Sequence, residues 1–180
     1  MSTWYYYNKT VNKITVALIT IVVISLVCLV GWNLTNNRPL SDEDAEELIA
    51  VQREAEGMAQ RHAREVQFLH VRLARVGETI INNLQTPGIS DFGREGAEEA
   101  RDMLMIACEM LEELENKLTS ISAFLDMRKG AQATVRLNKE IRGAHRELTL
   151  MSQEIEETNK AILAANTKMV STAIADRLGR

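Results

Sequence analysis

Residues 100–125 read ARDMLMIACEMLEELENKLTSISAFL. The apolar side chains of this stretch recur at alternating steps of four and three residues, at Ala100, Leu104, Ala107, Leu111, Leu114, Leu118, Ile121 and Leu125. Residues three and four apart lie on one face of a helix, so this spacing is typical of a coiled-coil seam. We therefore predict a long helix over residues 97–129 whose apolar stripe packs against other helices.

The segment before this helix carries a similar pattern. Ser41 provides an N-cap hydroxyl, and the three acidic residues that follow it place negative charge at the positive end of a helix predicted over residues 41–85. Its apolar positions are Leu48, Val51, Ala55, Met58, Val66, Leu69, Leu73, Val76 and Ile80. His62 fills the seam between Met58 and Val66, and the heptad phase slips by four residues around it, which predicts a stutter with irregular packing.

The segment after residue 129 repeats the heptad pattern. We predict a third helix over residues 130–178, with its seam at Leu137, Ile141, Ala144, Leu148, Met151, Ile155, Thr158, Ile162, Ala165 and Met169. Pro87 and Gly88 break the chain in a predicted turn over residues 86–96, and Gly130 follows two basic residues at the second break. An isolated Gly costs a helix only about 1 kcal/mol, so a single rod is the alternative to a second turn.

We favour a fold-back at both breaks, because an antiparallel bundle shields every apolar seam within one chain. A turn near residue 88 would bring Arg61 and Arg64 beside the acidic stretch 109–115. A turn near residue 129 would bring Arg142 and Arg146 beside the same stretch, again with opposite charge. The sequence therefore predicts an all-α protein with an antiparallel three-helix bundle or coiled coil.

A membrane anchor is predicted near the start of the sequence. Residues 14–32 read ITVALITIVVISLVCLVGW, without a charged side chain, and at about 1.5 Å per residue they match a bilayer core of roughly 30 Å. A short tail (1–13) and a linker (33–40) flank this predicted transmembrane helix. The expected interface anchors are Trp4, Tyr5, Tyr6, Tyr7 and Trp32. A cleaved signal peptide is the competing interpretation, but the core is long and no A-x-A-like site follows it.

The orientation of this anchor follows from the basic residues on either side of it. Lys9 and Lys13 precede the apolar span, whereas Arg38 stands alone among the residues that follow closely. The positive-inside rule therefore predicts a cytoplasmic N-terminus in the inner (plasma) membrane. The helical region would then lie in the periplasm or outside the cell.

Composition argues against several classes of function. The chain has 180 residues and a net charge of −4, and no basic face stands out that could neutralise nucleic-acid phosphates. CxxC, HExxH, GxGxxG, P-loop and GxSxG motifs are all absent from the sequence. We therefore expect no enzyme, no cofactor, no metal site and no nucleic-acid partner.

The spacing of the methionine residues around Cys108 indicates a role in packing. Met103, Met105 and Met110 surround Cys108, but helical spacing favours packing over metal binding. Cys108 is the one cysteine in the predicted exported region, and an interchain disulfide at this position would require a parallel dimer. A homo-oligomer is therefore possible.

Arginines form the candidate binding site of the first long helix. Arg53, Arg64 and Arg75 are spaced by eleven residues, as are Arg61 and Arg72, so they form two nearly straight ridges. Arginine binds carboxylates through bidentate hydrogen bonds, so these ridges are candidates for holding an anionic ligand or partner. The competing interpretation is that they form ion pairs with the acidic stretch of the next helix.

These features together predict a protein that acts by binding. We expect a membrane-anchored helical scaffold or tether of the cell envelope that contacts a protein partner. The order of elements resembles that of the inner-membrane spanins of phage lysis, which have an N-terminal anchor and a long periplasmic helical region; the resemblance is one of topology alone. The alternatives are a ligand-sensing bundle of the chemoreceptor type and an accessory subunit of a larger membrane complex.

Overall fold

The computed structural model describes residues 21–178, and all of the regular secondary structure in this range is helical. Residues 21–36 form α1, Asp42–Leu84 form α2, Asp91–Met127 form α3 and Val135–Leu178 form α4. Each of the three long helices contacts the other two, and short turns connect them. Residues 42–178 therefore form a three-helix bundle in which α2 and α4 run parallel and α3 runs antiparallel to both. The predicted all-α helical bundle is confirmed.

Side-chain oxygens set where the long helices begin. The hydroxyls of Ser41 and Ser90 accept hydrogen bonds from backbone N–H groups three residues on, at 3.2 and 3.0 Å, and the Thr134 hydroxyl does the same at 3.2 Å. Such caps satisfy backbone donors that have no partner within the helix. Because Ser90 is a cap, α3 starts at Asp91, six residues before the range predicted from the seam.

The turn between α3 and α4 excludes the single-rod alternative. Gly130 has a φ of 73°, in the left-handed region that side chains other than glycine rarely adopt. The chain reverses there, and α4 packs along α3.

Three seams of buried side chains form the core. Every seam position predicted for α3 and α4 is buried. In α2, however, Ala59 and His62 are buried and Met58 is only partly buried. From Ala55 onward these positions keep the regular alternation of four and three residues, so the predicted stutter at His62 is wrong. Met58 and Ala59 are adjacent and both apolar, and the smaller residue, Ala59, occupies the seam position.

The predicted register between helices is also wrong. Arg142 contacts Glu47 of α2 at 2.8 Å and not the acidic stretch of α3, whose Glu115 contacts His70 at 3.2 Å. The loops that connect the long helices run on along the bundle axis before the chain reverses, so the facing residues differ from those predicted. As a result, Gly77 is level with Leu104, and the first turn of α3 extends past the end of α2.

The start of α3 packs closely against the end of α4. Gly96 is buried, and a Cβ atom placed on it would lie 2.3 Å from the Thr172 methyl carbon. The Ser90 hydroxyl also donates a hydrogen bond to the Asp176 carboxylate. Glycine is therefore needed at position 96 for the close approach of the two helices.

Two backbone hydrogen bonds join the linker before α2 to the turn before α4. The Leu40 N–H donates to the Ala133 carbonyl, and the Val135 N–H donates to the Arg38 carbonyl, both at 3.1 Å. The chain therefore leaves the bundle toward α1 at the end where α2 and α4 begin.

The predicted anchor receives no support from the described helices. In the part of the chain that the structure describes, no helix combines the length and the apolar character needed to cross a bilayer. The tail 1–13 and residues 14–20 of the predicted span lie outside the described residues. The anchor over residues 14–32 stays a prediction.

Candidate partner-binding face between α2 and α4

The α2–α4 groove is the surface furrow between these two parallel helices on the side away from α3. It consists of two adjoining depressions of about 330 and 430 Å³, which share Phe68. The distal depression, farther from the linker, is lined by Val71, Arg72, Arg75, Thr79, Leu163 and Asn166. The proximal depression is lined by Arg64, Glu65, Ser152, Ile155, Glu156 and Asn159. The groove follows about four helical turns of each helix.

Three of the five predicted arginines line this groove, and Arg53 and Arg61 do not. The Arg72 guanidinium donates a hydrogen bond to the Asn159 side-chain oxygen and lies 5.0 Å above the centre of the Phe68 ring. Within residues 21–178, none of the five forms an ion pair with a carboxylate. The competing interpretation, pairing with the acidic stretch of α3, is therefore wrong.

Helix geometry explains why these arginines miss that stretch. His70 and Arg72 are two residues apart and so point about 200° away from each other around the helix. His70 faces α3 and contacts Glu115, whereas Arg72 faces α4 and contacts Asn159. The side of α2 that carries Arg72 is therefore the side turned toward α4.

Carboxylates near the groove have other partners. The Glu156 carboxylate lies 2.7 Å from the Lys160 ammonium, and this hydrogen bond holds the pKa of Glu156 below its ordinary value. The Glu65 carboxylate lies 2.9 Å from Nδ1 of His62. Among residues 21–178, no acidic side chain lines the distal depression. Arg72 and Arg75 therefore lie in the groove without a carboxylate in ion-pair contact among the described residues.

Apolar side chains lie between these charges. Phe68, Val71 and Leu163 are 58%, 54% and 42% exposed. Val170 and Ile174, two and three turns beyond Leu163, are exposed on α4 as well. Contiguous apolar surface with a polar rim is characteristic of protein interaction sites.

A buried histidine lies behind the proximal depression. His62 is 5% exposed, and its Nε2 donates a hydrogen bond across the interface to the Leu148 carbonyl of α4 at 2.9 Å. Its Nδ1 contacts Glu65, as described above. The sequence placed His62 in the seam, and its burial agrees with that expectation, but the hydrogen bond to α4 was not predicted. The place of His62 at the alternating core spacing, four residues before Val66, was the available signal.

The other predicted site residues are spread over the molecule. Trp32 and Cys108 are exposed, and Cys108 is a free thiol. The interchain disulfide stays a prediction. Trp4, Tyr5, Tyr6 and Tyr7 lie outside the described residues. In residues 21–178, no group of three His, Cys, Asp or Glu side chains is placed to hold a metal ion.

Comparison of the chain with protein-family models, with curated proteins and with solved structures found no match. A functional interpretation therefore rests on the geometry of the α2–α4 groove. This geometry suits the binding of a group that presents carboxylates beside apolar side chains.

Proposed function

We propose that this protein is a non-enzymatic, membrane-anchored helical scaffold of the cell envelope that binds a protein partner through the α2–α4 groove. The observation that carries the proposal is that Arg72 and Arg75, which form no ion pair among the described residues, lie beside exposed Phe68 and Leu163. A partner that supplied carboxylates and apolar side chains would satisfy both features.

The sequence supports the membrane part of this proposal. Residues 14–32 carry no charge, and residues 21–36 of the structure are helical with apolar side chains exposed around the helix, such as Leu26, Val27 and Leu29. Exposed apolar side chains on every side of a helix suit a lipid environment. In the proposed arrangement the N-terminus is cytoplasmic and the bundle lies in the periplasm or outside the cell.

The shape of the bundle supports a scaffold. The helix α2 has 43 residues, which gives it a length of about 65 Å. Its groove lies between residues 64 and 79, so a bound partner would lie some 35 to 55 Å along the helix from Asp42. The groove is a shallow furrow, and its lining favours binding over catalysis.

Site-specific photo-crosslinking tests this proposal. A photoreactive amino acid at Val71 of the full-length chain, in its native membrane, should yield one defined protein adduct. The adduct should be lost when Arg72→Glu and Arg75→Glu are added, because the reversed charges repel acidic groups. Gln67 is the matched control, since it is exposed on α2 but outside the groove. No adduct at Val71, or equal adducts at both positions, would contradict the proposal.

One observation favours a second candidate, an extracytoplasmic sensor of a small anionic ligand. The distal depression of about 330 Å³ brings Arg72 and Arg75 together with the polar side chains of Thr79 and Asn166. This combination suits an apolar carboxylate. A set of small aromatic and aliphatic carboxylates should then raise the melting temperature of the purified chain, and Arg75→Gln should remove this shift. An unchanged melting temperature with every carboxylate would contradict a sensor role.

A further inference from the structure

We infer that the occupant of the α2–α4 groove is the outer face of α3 from a second copy of this chain, anchored in parallel in the same membrane. This inference rests on the proposed function, because it names the partner of that groove. The outer face of α3 is defined by Met105, Ile106, Glu109 and Glu112, all of which are exposed.

The first support is that the two surfaces lie at the same height. His70 contacts Glu115, and Gly77 is the α2 residue level with Leu104. The α2 segment 70–77 is therefore level with the α3 segment 104–115. The first segment contains Arg72 and Arg75, and the second contains the whole outer face. Two copies standing side by side in one membrane would bring these surfaces to equal distances from the bilayer.

The second support is charge. Glu113 and Glu115 have partners within the chain, since Lys117 lies 3.1 Å from Glu113 and His70 lies 3.2 Å from Glu115. Glu109 and Glu112 form no ion pair among residues 21–178. The unpaired carboxylates of one face thus match the unpaired guanidinium groups of the other in sign and in height.

The third support is the apolar surface beside these charges. Met105 and Ile106 precede Glu109 by about one turn, so the outer face carries an apolar pair next to its carboxylates. Arg72 contacts Asn159, and Leu163 follows Asn159 by one turn. Leu163 is therefore level with the α3 residues near 105, so apolar surface would meet apolar surface.

Chain direction permits this contact. The chain's own α3 covers one side of the α2–α4 pair and runs antiparallel to both helices. A second copy with the same membrane orientation would present its α3 in that same direction to the open side. The contact joins two different surfaces, so it is heterologous and builds rows or closed rings of copies.

Disulfide trapping between two tagged copies tests the inference. Both copies carry Cys28→Ser and Cys108→Ser, which remove the two native cysteines; one adds Ile106→Cys and the other adds Leu163→Cys. Co-expressed as full-length chains in the membrane and oxidised, they should form a mixed disulfide, whereas neither variant expressed alone should form one. Leu150→Cys is the matched control, because it is an exposed leucine on the same helix but about 20 Å away along it. Its mixed disulfide with Ile106→Cys should be at least tenfold weaker.

Charge reversal supplies an independent measurement in the same assay. Arg72→Glu with Arg75→Glu on the Leu163→Cys copy should reduce the mixed disulfide at least tenfold. Glu109→Arg with Glu112→Arg on the Ile106→Cys copy should do the same. When both changes are present, each on its own copy, the mixed disulfide should return, which a misfolded variant would not allow.

Three results would overturn the inference. A disulfide between two copies of Ile106→Cys, or between Cys108 residues in a separate oxidation of the chain without these substitutions, would mean that α3 meets α3 in a symmetric contact. Absence of the mixed disulfide, with a different protein captured at Val71, would remove the second copy as occupant and leave the proposed function standing. Absence of both the mixed disulfide and any adduct at Val71 would overturn the inference and the proposed function together.

Discussion

The imidazole of His62 occupies a core position where the heptad otherwise places small and aliphatic side chains. It is buried and hydrogen-bonds to the Leu148 carbonyl across the α2–α4 interface. Truncation to Ala would leave a cavity and remove this hydrogen bond. We expect His62→Ala to lower the free energy of unfolding by about 2 to 3 kcal/mol, measured by urea denaturation of the full chain in detergent at pH 7.

A second variant at this position separates packing from hydrogen bonding. Leucine in place of His62 refills most of the volume, and the Leu148 carbonyl keeps the hydrogen bond within its own helix. The Glu65 carboxylate is half exposed and hydrates when it loses the imidazole. His62→Leu should therefore stay within about 1 kcal/mol of the wild type. A loss as large as that of His62→Ala would show that the hydrogen bond dominates.

The ion pairs of the Lys117 ammonium group should make the stability of the bundle depend on pH in the alkaline range. Its hydrogen bond to Glu154 of α4, with a second to Glu113, raises the pKa of Lys117 above the ordinary 10.5. A raised pKa means that the stabilisation is complete below pH 10.5 and is lost as the pH rises through the higher value. Because these side chains are exposed, the contribution is about 0.5 kcal/mol. The melting temperature of Lys117→Met should lie slightly below that of the wild type from pH 7 to 10, and the two should converge above that range.

At the scale of helices, the approach of α3 to α4 depends on the missing side chain of Gly96. A methyl group there would overlap the Thr172 side chain, and α3 would have to move away from α4. We expect Gly96→Ala to cost about 1 to 3 kcal/mol, despite the better helix propensity of alanine. Adding Thr172→Ala should restore part of this loss, because it removes the two nearest atoms that a new methyl group would meet and leaves the Cβ of residue 172, at 2.8 Å.

The matched control for Gly96 is Gly57 of α2. It is helical and exposed, and a Cβ atom there would have no neighbour within 4 Å. The same Gly→Ala change should therefore raise the stability by about 0.5 to 1 kcal/mol, since only backbone entropy and propensity change. Thermal unfolding of both variants by circular dichroism gives the comparison. Two losses of equal size would contradict a packing role for Gly96.

The buried residues of α3 and α4 were predicted correctly from the sequence. Their apolar residues alternate strictly at steps of four and three residues, which leaves one candidate for each seam position. In α2, Met58 and Ala59 are adjacent and both apolar, so hydropathy alone did not choose between them. Regular alternation from Ala55 to His62, which the sequence already placed in the seam, selects Ala59, because Met58 gives two successive steps of four residues around His62. The predicted register between helices was wrong for a different reason. The length of a loop does not determine how far the loop runs along the bundle axis before the next helix begins.

The candidate site was predictable in part. The arginine ridges were visible in the sequence, and three of those residues line the groove. The direction in which they point was not visible, because it depends on which side of α2 packs against α4. A shift of two residues around the helix separates His70, which faces α3, from Arg72, which faces α4.

For the whole molecule, the common core makes the bundle one rigid unit along its length. Each long helix packs against both others, and the linker before α2 is hydrogen-bonded to the turn before α4. The anchor proposed for residues 14–32 would therefore attach to one end of a body about 65 Å long. The groove would then be held at a fixed distance from the membrane, as a scaffold requires.

Distances between spin labels on the full chain in a membrane test this arrangement. Labels at Glu43 and Ala131 should lie within about 25 Å of each other, because both are at the linker end and neighbouring helix axes lie about 8 to 10 Å apart. Labels at Glu43 and Thr86 should lie about 65 Å apart, the length of α2. A Glu43–Ala131 distance well above 25 Å would mean that α3 and α4 swing away from α2 in the membrane. The groove would then not persist, and neither a partner nor a second copy could bind it as proposed.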